Sequence, residues 1–347
     1  MRTAIVEEIG KISIKDIPKP VPAKEEALVK ITTAGVCHSD LHLSNGDWPV
    51  IKPPFPIGHE AIGIVEELGS DAGIYIKKGD RVILGLGGTA GAYWCGACEY
   101  CLAGKPMLCP QKRNLMGAYS EYISVWAKAL VKMPDEVSDK EVPLACAGLT
   151  AYSAVKKLLD FKISPGKTIA IIGAAGGLGH YAVQIAKAFG YKVVGVDIGP
   201  EKLEFVENLG ADYSLDASKA KGFVDKNLGG VYASLVFSSK IAGFELGLNL
   251  LKAGGVLITV GLPAFSEGSM SINPFMFILR GYQMVGSLVG SVEEMKELVQ
   301  LAADGKVKTH IGRVADLSEI NQVFEELEKG KFVGRAIIDF TKDSTKK

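Results

Sequence analysis

Up to about residue 144 the apolar positions come in short runs: "EALVKITTAGVC", "EAIGIVEELGS", "DRVILGLGG" and "YSEYISVWAKALVKMP". Gly, Pro and Asp separate them, as in "KPPFPIG" and "KKGD". No long helical period runs through this part, so it predicts an antiparallel β-barrel or sandwich. The first residues, "MRTAIVEEIGKISIKDIP", alternate apolar and polar positions and predict an edge strand with a hairpin.

Near Cys146 the pattern changes. "KTIAIIG" is a buried strand, and "GLGHYAVQIAKAFG" follows it with helical spacing and a terminal glycine. "KVVGVD", the helix "PEKLEFVENLG", "YSL", "ASLVFSS", the helix "GFELGLNLLKAGG", "VLITVG" and "QMVGSLV" continue the series. Strands alternating with helices predict right-handed crossovers and an α/β fold with a doubly wound parallel sheet. About six strands make a full dinucleotide-binding sheet. Two amphipathic helices, "SVEEMKELVQLAADG" and "LSEINQVFEELEKG", and a strand, "GRAIIDF", close the chain.

With 347 residues the chain exceeds one ordinary core, so two domains are expected. Apolar residues at 48% and charged residues at 22% exclude a disordered chain. The 39 Lys and Arg balance 39 Asp and Glu, which leaves no basic footprint for nucleic acid. No apolar run is long enough for a membrane span. The N-terminus lacks the apolar core and cleavage site of a signal peptide. A cytoplasmic location is expected, and there cysteines serve metals or catalysis rather than disulfides. The polar end "KDSTKK" reads as a solvated tail.

In "IAIIGAAGGLGHYAVQIAKAFGYKVVGVD" a strand runs into glycines at Gly173, Gly176, Gly177 and Gly179, and a helix follows. Such glycines let the backbone approach a pyrophosphate, and the helix N-terminus offers unpaired N–H groups. Asp197 ends the second strand, where an acid accepts hydrogen bonds from the adenosine ribose and repels a 2′-phosphate. NAD is therefore expected over NADP. Lys202, one turn into the next helix, lies within reach of the ribose, with a solvated surface lysine as the competing reading.

Four of six cysteines fall in "CGACEYCLAGKPMLC": Cys95, Cys98, Cys101 and Cys109. Short gaps let thiolates converge on one ion, and a fourth from a loop closes a tetrahedron. Disulfides fit poorly with such gaps in a reducing compartment. An iron–sulfur cluster competes, because Pro110 follows Cys109, but the last gap is seven residues where a ferredoxin run has three. A structural zinc in a lobe at about 91–112 is expected. Cys37 in "GVCHSDLH", Cys146 in "LACAGLTAY" and His59 in "GHEAIGIVEELG" are candidates for a second zinc with an open position. Each alone would read as a packed residue.

Together "GVCHSDLHLSNGDWP", "PIGHEAIGIVEELGS", "CGACEYC", "PLACAGLTAY" and the glycine-turn segment resemble the zinc-dependent medium-chain alcohol dehydrogenases, nearest their yeast and bacterial ethanol-active branch. The resemblance runs from the N-terminal motifs to "GKFVGRAIIDF". It implies a GroES-like catalytic domain over 1–147 and 289–347, with a Rossmann NAD-binding domain over 148–288. It implies a homo-tetramer or homo-dimer; the strand "QMVGSLV" is placed to extend the sheet across a two-fold axis.

For the site, the resemblance implies Cys37, His59 and Cys146 as catalytic zinc ligands, with Glu60 as an acid able to approach the ion. Asp40 orients the histidine ligand. Ser39 takes the alcohol proton, and His42 passes it to water. His38 and Arg335 match pyrophosphate contacts. Gly261, Leu262 and Val289 match positions near the cofactor, and Trp48 and Leu262 match the alcohol pocket. The implied reaction is reversible NAD-linked oxidation of an alcohol to an aldehyde or ketone. Relatives acting on polyols, aromatic alcohols or long-chain aldehydes are the nearest alternative. A non-catalytic NAD-binding homologue and an iron–sulfur carrier are the others. Two features depart from the pattern: a short link "PQKRNLMGA" after Cys109, and Trp94 beside the first lobe cysteine. His180 and His310 are read as structural.

Overall fold

The computed structural model describes residues 1–48, 51–84, 93–113 and 115–341. The tail at 342–347 and most of the approach "GLGGTAGAYWC" lie outside the described residues. The chain divides into two compact units. One comprises Met1–Leu149, Val289–Gly305 and the residues from Thr309 on; the other comprises Thr150–Leu288 and Lys306–Lys308.

In the first unit, the N-terminal alternation forms the hairpin Arg2–Glu8 and Lys11–Asp16, and Phe55–Pro56 adds a third strand. The second sheet is built on the long strand Glu26–Val36. It pairs antiparallel with Ala61–Leu68, Tyr122–Trp126 and Arg335–Asp339. Arg81–Leu84 and Leu130–Lys132 extend the sheet on one side. The other edge, Ile311–Ala315, pairs parallel with Arg335–Asp339, so this GroES-like domain is not antiparallel throughout. The alternation that marks half-buried strands did not reveal that edge: "IGRVA" buries only Ala315. The amphipathic helix Ile320–Glu328 buries Ile320, Val323 and Phe324, and these join Val36, Leu41, Tyr119 and Ile338 in one apolar cluster.

The strand-like first part also holds a helix, His38–Asn45, which hydrophobic period did not forecast. Its buried positions are Asp40, Leu41 and Ser44, so two polar residues stand where an apolar stripe would be. Gly46 ends it in the left-handed conformation, where a residue with a Cβ would be strained.

The second unit is a six-stranded parallel sheet. Its order is Tyr213–Asp216, Lys192–Asp197, Thr168–Ile172, Val231–Val236, Leu251–Thr259 and Gln283–Gly286. This is the Rossmann order, in which the first strand is central and buried on both faces. "LKAGG" belongs to the strand Leu251–Thr259 and not to the preceding helix, Ile241–Asn249. Register jumps there: Leu251 pairs with Val231, and Val256 with Ala233, so the intervening glycines form a bulge that resembles a helix end in sequence. Helices Ala217–Leu228 and Pro274–Arg280 were not foreseen; the second buries no side chain.

Candidate active site

Register assembles the first site. Cys37 follows the last residue of the strand Glu26–Val36 and precedes the helix that carries Ser39, Asp40 and His42. On one side Ala34 pairs with Ala61, which brings Glu60 over Gly35. On the other Ala336 pairs with Val36, which brings Arg335 beside Cys37. Gly35 has to be glycine: a Cβ there would lie 1.9 Å from Glu60 Oε2. Cys146 arrives at the end of the 3₁₀ segment Asp139–Ala145.

Ligand atoms of Cys37, His59, Glu60 and Cys146 lie within 4.8 Å of one another, and all four residues are buried. His59 donates Nδ1–H to Asp40 Oδ1 at 2.8 Å, while its Nε2 is buried with no partner. An orphaned imidazole nitrogen facing two cysteine sulfurs fits a metal ion. The Cys146 hydrogen bond holds the Cys37 thiol well below its usual pKa, and the same contact pushes Cys146 well above. Burial would depress His59, but Asp40, then Cys37, hold it well above the ordinary range. Burial pushes Glu60 up to about 7 against the pull of Arg335.

Arg335 is only 3% exposed. Its Nη2 donates to both Glu60 oxygens, at 2.8 and 2.6 Å, and to Val36 O at 2.8 Å. The residue expected at a pyrophosphate is thus seen as the counter-ion of Glu60.

Sequence reasoning missed two residues. Tyr119 OH donates to Asp40 Oδ2 at 2.6 Å. Burial, then the Asp40 charge, hold its phenol well above its usual pKa, so it is a donor. Asp47 Oδ2 sits 2.7 Å from His42 Nδ1. Tyr119 lies in no motif, and Asp47 lies in "NGDWP" with no role read for it; both are recognised only by what they touch. The Trp48 ring lies 4.7 Å from the His42 ring, and the exposed His38 lies 6.3 Å from it. Ser39, half-buried, precedes His42 by three residues on the same helix face.

The lobe gathers Cys95, Cys98, Cys101 and Cys109, with ligand atoms again within 4.8 Å. Cys101 Sγ stands 3.9 Å from Cys95 Sγ and 3.5 Å from Cys98 Sγ. Zinc–sulfur arms of about 2.3 Å give tetrahedral edges of about 3.8 Å. All six cysteines are free of disulfides. The N–H groups of Ala97 and Cys98 pull Cys95 down to about 6, and burial pushes Cys101 up to about 12. A bridge between Tyr93 and Arg113 closes the lobe, which shows how a short link can follow Cys109. Trp94 packs edge-on against Trp126 at 4.7 Å and so anchors the lobe to the strand Tyr122–Trp126.

In the second unit, Gly173 turns with φ +80°, and a Cβ on Gly179 would lie 2.0 Å from Gly173 O. Gly176 is exposed and Gly177 half-buried at the start of the helix Gly179–Ala188. Asp197 Oδ2 accepts from Ala175 N at 2.9 Å, and Lys202 Nζ lies 3.6 Å from Asp197 Oδ1. A Cβ on Gly261 would lie 2.1 Å from Ser238 O, and Leu262 beside it is exposed. Val289, in the first unit, is buried in a left-handed conformation at φ 42°, unusual for a β-branched residue. His180 is buried, with Nδ1 3.2 Å from Gly176 O, and His310 is exposed.

A GroES-like unit with two thiol-rich metal-ligand clusters, and a Rossmann unit with a glycine turn, define a metal-binding oxidoreductase class. The chain matches the family "Alcohol dehydrogenase GroES-like domain" over residues 23–135 and "Zinc-binding dehydrogenase" over 177–304. It is 41% identical over 352 residues to an alcohol dehydrogenase of Geobacillus stearothermophilus, covering 97% of this chain and 99% of that one. Its fold matches the alcohol dehydrogenase of Aeropyrum pernix with a TM-score of 0.86 and 35% identity, over 98% and 100% of the two chains. It also matches a cinnamyl alcohol dehydrogenase of Sorghum bicolor with a TM-score of 0.86 and 26% identity, over 100% and 99%. The chain belongs to the zinc-dependent medium-chain alcohol dehydrogenase family.

Among the described residues no helix is long and apolar enough to cross a membrane.

Proposed function

We propose that this chain is an NAD-dependent zinc alcohol dehydrogenase, reversibly oxidising primary or secondary alcohols to aldehydes or ketones. The observation that carries the reading is the buried set Cys37, His59 and Cys146, whose fourth neighbour, Glu60, is drawn to Arg335. Three protein ligands and a restrained carboxylate leave one coordination place for substrate. When bound, zinc supplies a Lewis acid that acidifies an alcohol, and NAD supplies a hydride acceptor.

The protein's own residues do the rest. Asp40 fixes the His59 tautomer, so that Nε2 carries the lone pair. Ser39 Oγ accepts the alcohol proton as its own hydroxyl proton passes on toward His42. Asp47 holds His42 through Nδ1, leaving Nε2 to release that proton to water. Trp48, next to His42, narrows the alcohol pocket and favours short alcohols. Asp197 favours NAD by opposing a 2′-phosphate, with Lys202 at the ribose. The four-cysteine set holds a structural zinc and, with every place filled, binds no substrate.

A homo-oligomer formed through the second unit fits its exposed apolar surface. The edge strand Gln283–Gly286 is largely exposed, and the helix Pro274–Arg280 leaves Phe275, Ile278 and Leu279 open to solvent. A cytoplasmic setting, where cysteines serve metals rather than disulfides, goes with this reading. No nucleic acid or membrane partner is implied.

The test is metal analysis with a panel of short, aromatic and polyol alcohols, each with NAD and NADP. Two zincs per chain and NAD-linked turnover of a short alcohol are expected. Visible iron absorbance, or no turnover on any member, refutes the reading. Preference for an aromatic alcohol would move the substrate class toward that of the sorghum relative. Native mass spectrometry reads the oligomer.

A further inference from the structure

We infer that Tyr119 is a positioning residue for the catalytic metal: its hydroxyl holds Asp40 in the orientation in which Asp40 holds His59. The inference rests on the reading that Cys37, His59 and Cys146 bind zinc.

The carboxylate of Asp40 is fully buried and divides its oxygens. Oδ1 accepts from His59 Nδ1 at 2.8 Å, and Oδ2 accepts from Tyr119 OH at 2.6 Å. Short contacts of this kind are typical of hydrogen bonds to a charged acceptor. A carboxylate with one donor can rotate about its terminal torsion. With a donor on each oxygen, its plane is set, and so is the imidazole ring at the other end.

Tyr119 is itself held from several directions. Its backbone N donates to Ile57 O at 3.1 Å, and its carbonyl accepts from Ala4 N at 2.9 Å. Its ring meets Phe324 edge-on at 6.2 Å. The ring also lies against the chain just before His59. Gly58 has φ +100°, and a Cβ there would come within 2.6 Å of Tyr119 N and 2.8 Å of the ring. Gly58 therefore serves two needs, a backbone conformation that favours glycine and room for this ring. One aromatic side chain touches the histidine's peptide neighbour and, through Asp40, the histidine's ring.

A phenylalanine would fill the same core space beside Phe324, Phe55 and Ile57. What it would lack is the donor. The hydroxyl is therefore the part whose role is in question, and Tyr119→Phe isolates it.

The experiment compares wild type and Y119F as full-length protein loaded with zinc. Chelator competition gives the zinc affinity of each of the two sites, and replacement by cobalt(II) gives the ligand-field spectrum of the catalytic one. Removing a partner that touches a metal's ligand costs about 10–100-fold in affinity, and Tyr119, one contact further out, belongs at the lower end of that range. Y119F is expected to lose about tenfold at the Cys37–His59–Cys146 site and to shift the cobalt spectrum. The four-cysteine site, which has no contact with Tyr119, should stay within about twofold. Unchanged affinity and spectrum at the catalytic site overturn the inference. So does an equal loss at both sites, which would mark general destabilisation. A wild type that binds no metal at Cys37, His59 and Cys146 defeats the underlying reading instead, and so separates the two failures. Asp40→Asn and the double variant D40N/Y119F give a second reading. With the charge on Asp40 removed, loss of the hydroxyl should change catalytic-site affinity by less than about threefold; a further tenfold loss refutes action through Asp40.

Discussion

Arg335 gives a single guanidinium nitrogen to both oxygens of Glu60, at 2.8 and 2.6 Å, with neither side chain more than 4% exposed. A carboxylate so held stands beside Cys37, His59 and Cys146, with its ligand atom within 4.8 Å of theirs.

Removing the arginine alone leaves that carboxylate buried without its counter-ion. Arg335→Met should destabilise the protein by about 3 kcal/mol, because breaking one side of a buried pair strands the other charge. Glu60→Gln combined with R335M should recover much of the loss. Denaturant midpoints of the two single variants and the double variant decide this; additive losses would show that the pair does not act as a unit.

Cys37→Ala removes one of the proposed zinc ligands and lies in the first unit. Zinc content should fall from two to one per chain and alcohol turnover should fall at least about 100-fold, since even partners outside the ligands cost about 10–100-fold. NAD binding by calorimetry should stay within about twofold. Normal turnover in this variant would end the catalytic assignment.

Cys98→Ser tests the lobe. One zinc should be lost while the other stays, and thermal stability should drop, since ring contacts of Tyr93 and Trp94 on Trp126 are then left to hold the lobe to its unit. Loss of both zincs in this variant would contradict the independence of the two clusters.

At the glycine turn, Asp197→Ala removes the acceptor for Ala175 N and the charge that opposes a 2′-phosphate. The expected result is about tenfold weaker NAD and a kcat/KM ratio for NADP over NAD that rises at least as much, about 1.4 kcal/mol. An unchanged ratio would remove Asp197 from cofactor selection.

One pH effect follows from Asp212, whose carboxylate accepts from Lys187 Nζ and Val193 N, each at 2.7 Å. Burial works against its charge, but these donors keep its pKa below the usual carboxylate value. Its contribution is therefore present above pH about 4, the unfolded carboxylate value, and is lost as pH falls through the lower folded value. D212N should be less stable than wild type at neutral pH, by about 1 kcal/mol, and the gap should close below pH about 4. A gap that persists at pH 3 would assign the effect to packing.

How much was legible in advance depends on how far apart the partners lie along the chain. The four lobe cysteines, spaced by two and seven residues, can converge without help from the rest of the fold, and their spacing already named a metal. The strand–glycine–helix turn and Asp197 are equally local, because a βαβ unit places them by its own geometry. Cys37, His59 and Cys146 were only separate candidates for a second metal until resemblance joined them. Cys37, His59 and Cys146 carry no mutual spacing rule, and the helix between the first two hides its function behind two buried polar residues.

By itself, then, the sequence determined the periodicities, the glycine turn and the clustered thiols, all of them set by neighbours a few residues away. Tertiary structure alone decided which side chains complete the site. Tyr119 reaches Asp40 across 79 positions, from a bend to a helix, and Arg335 reaches Glu60 across 275, where strand register sets the meeting. A one-residue slip would turn Arg335 to the opposite face, and nothing in the local pattern of Tyr119 or Arg335 records its partner.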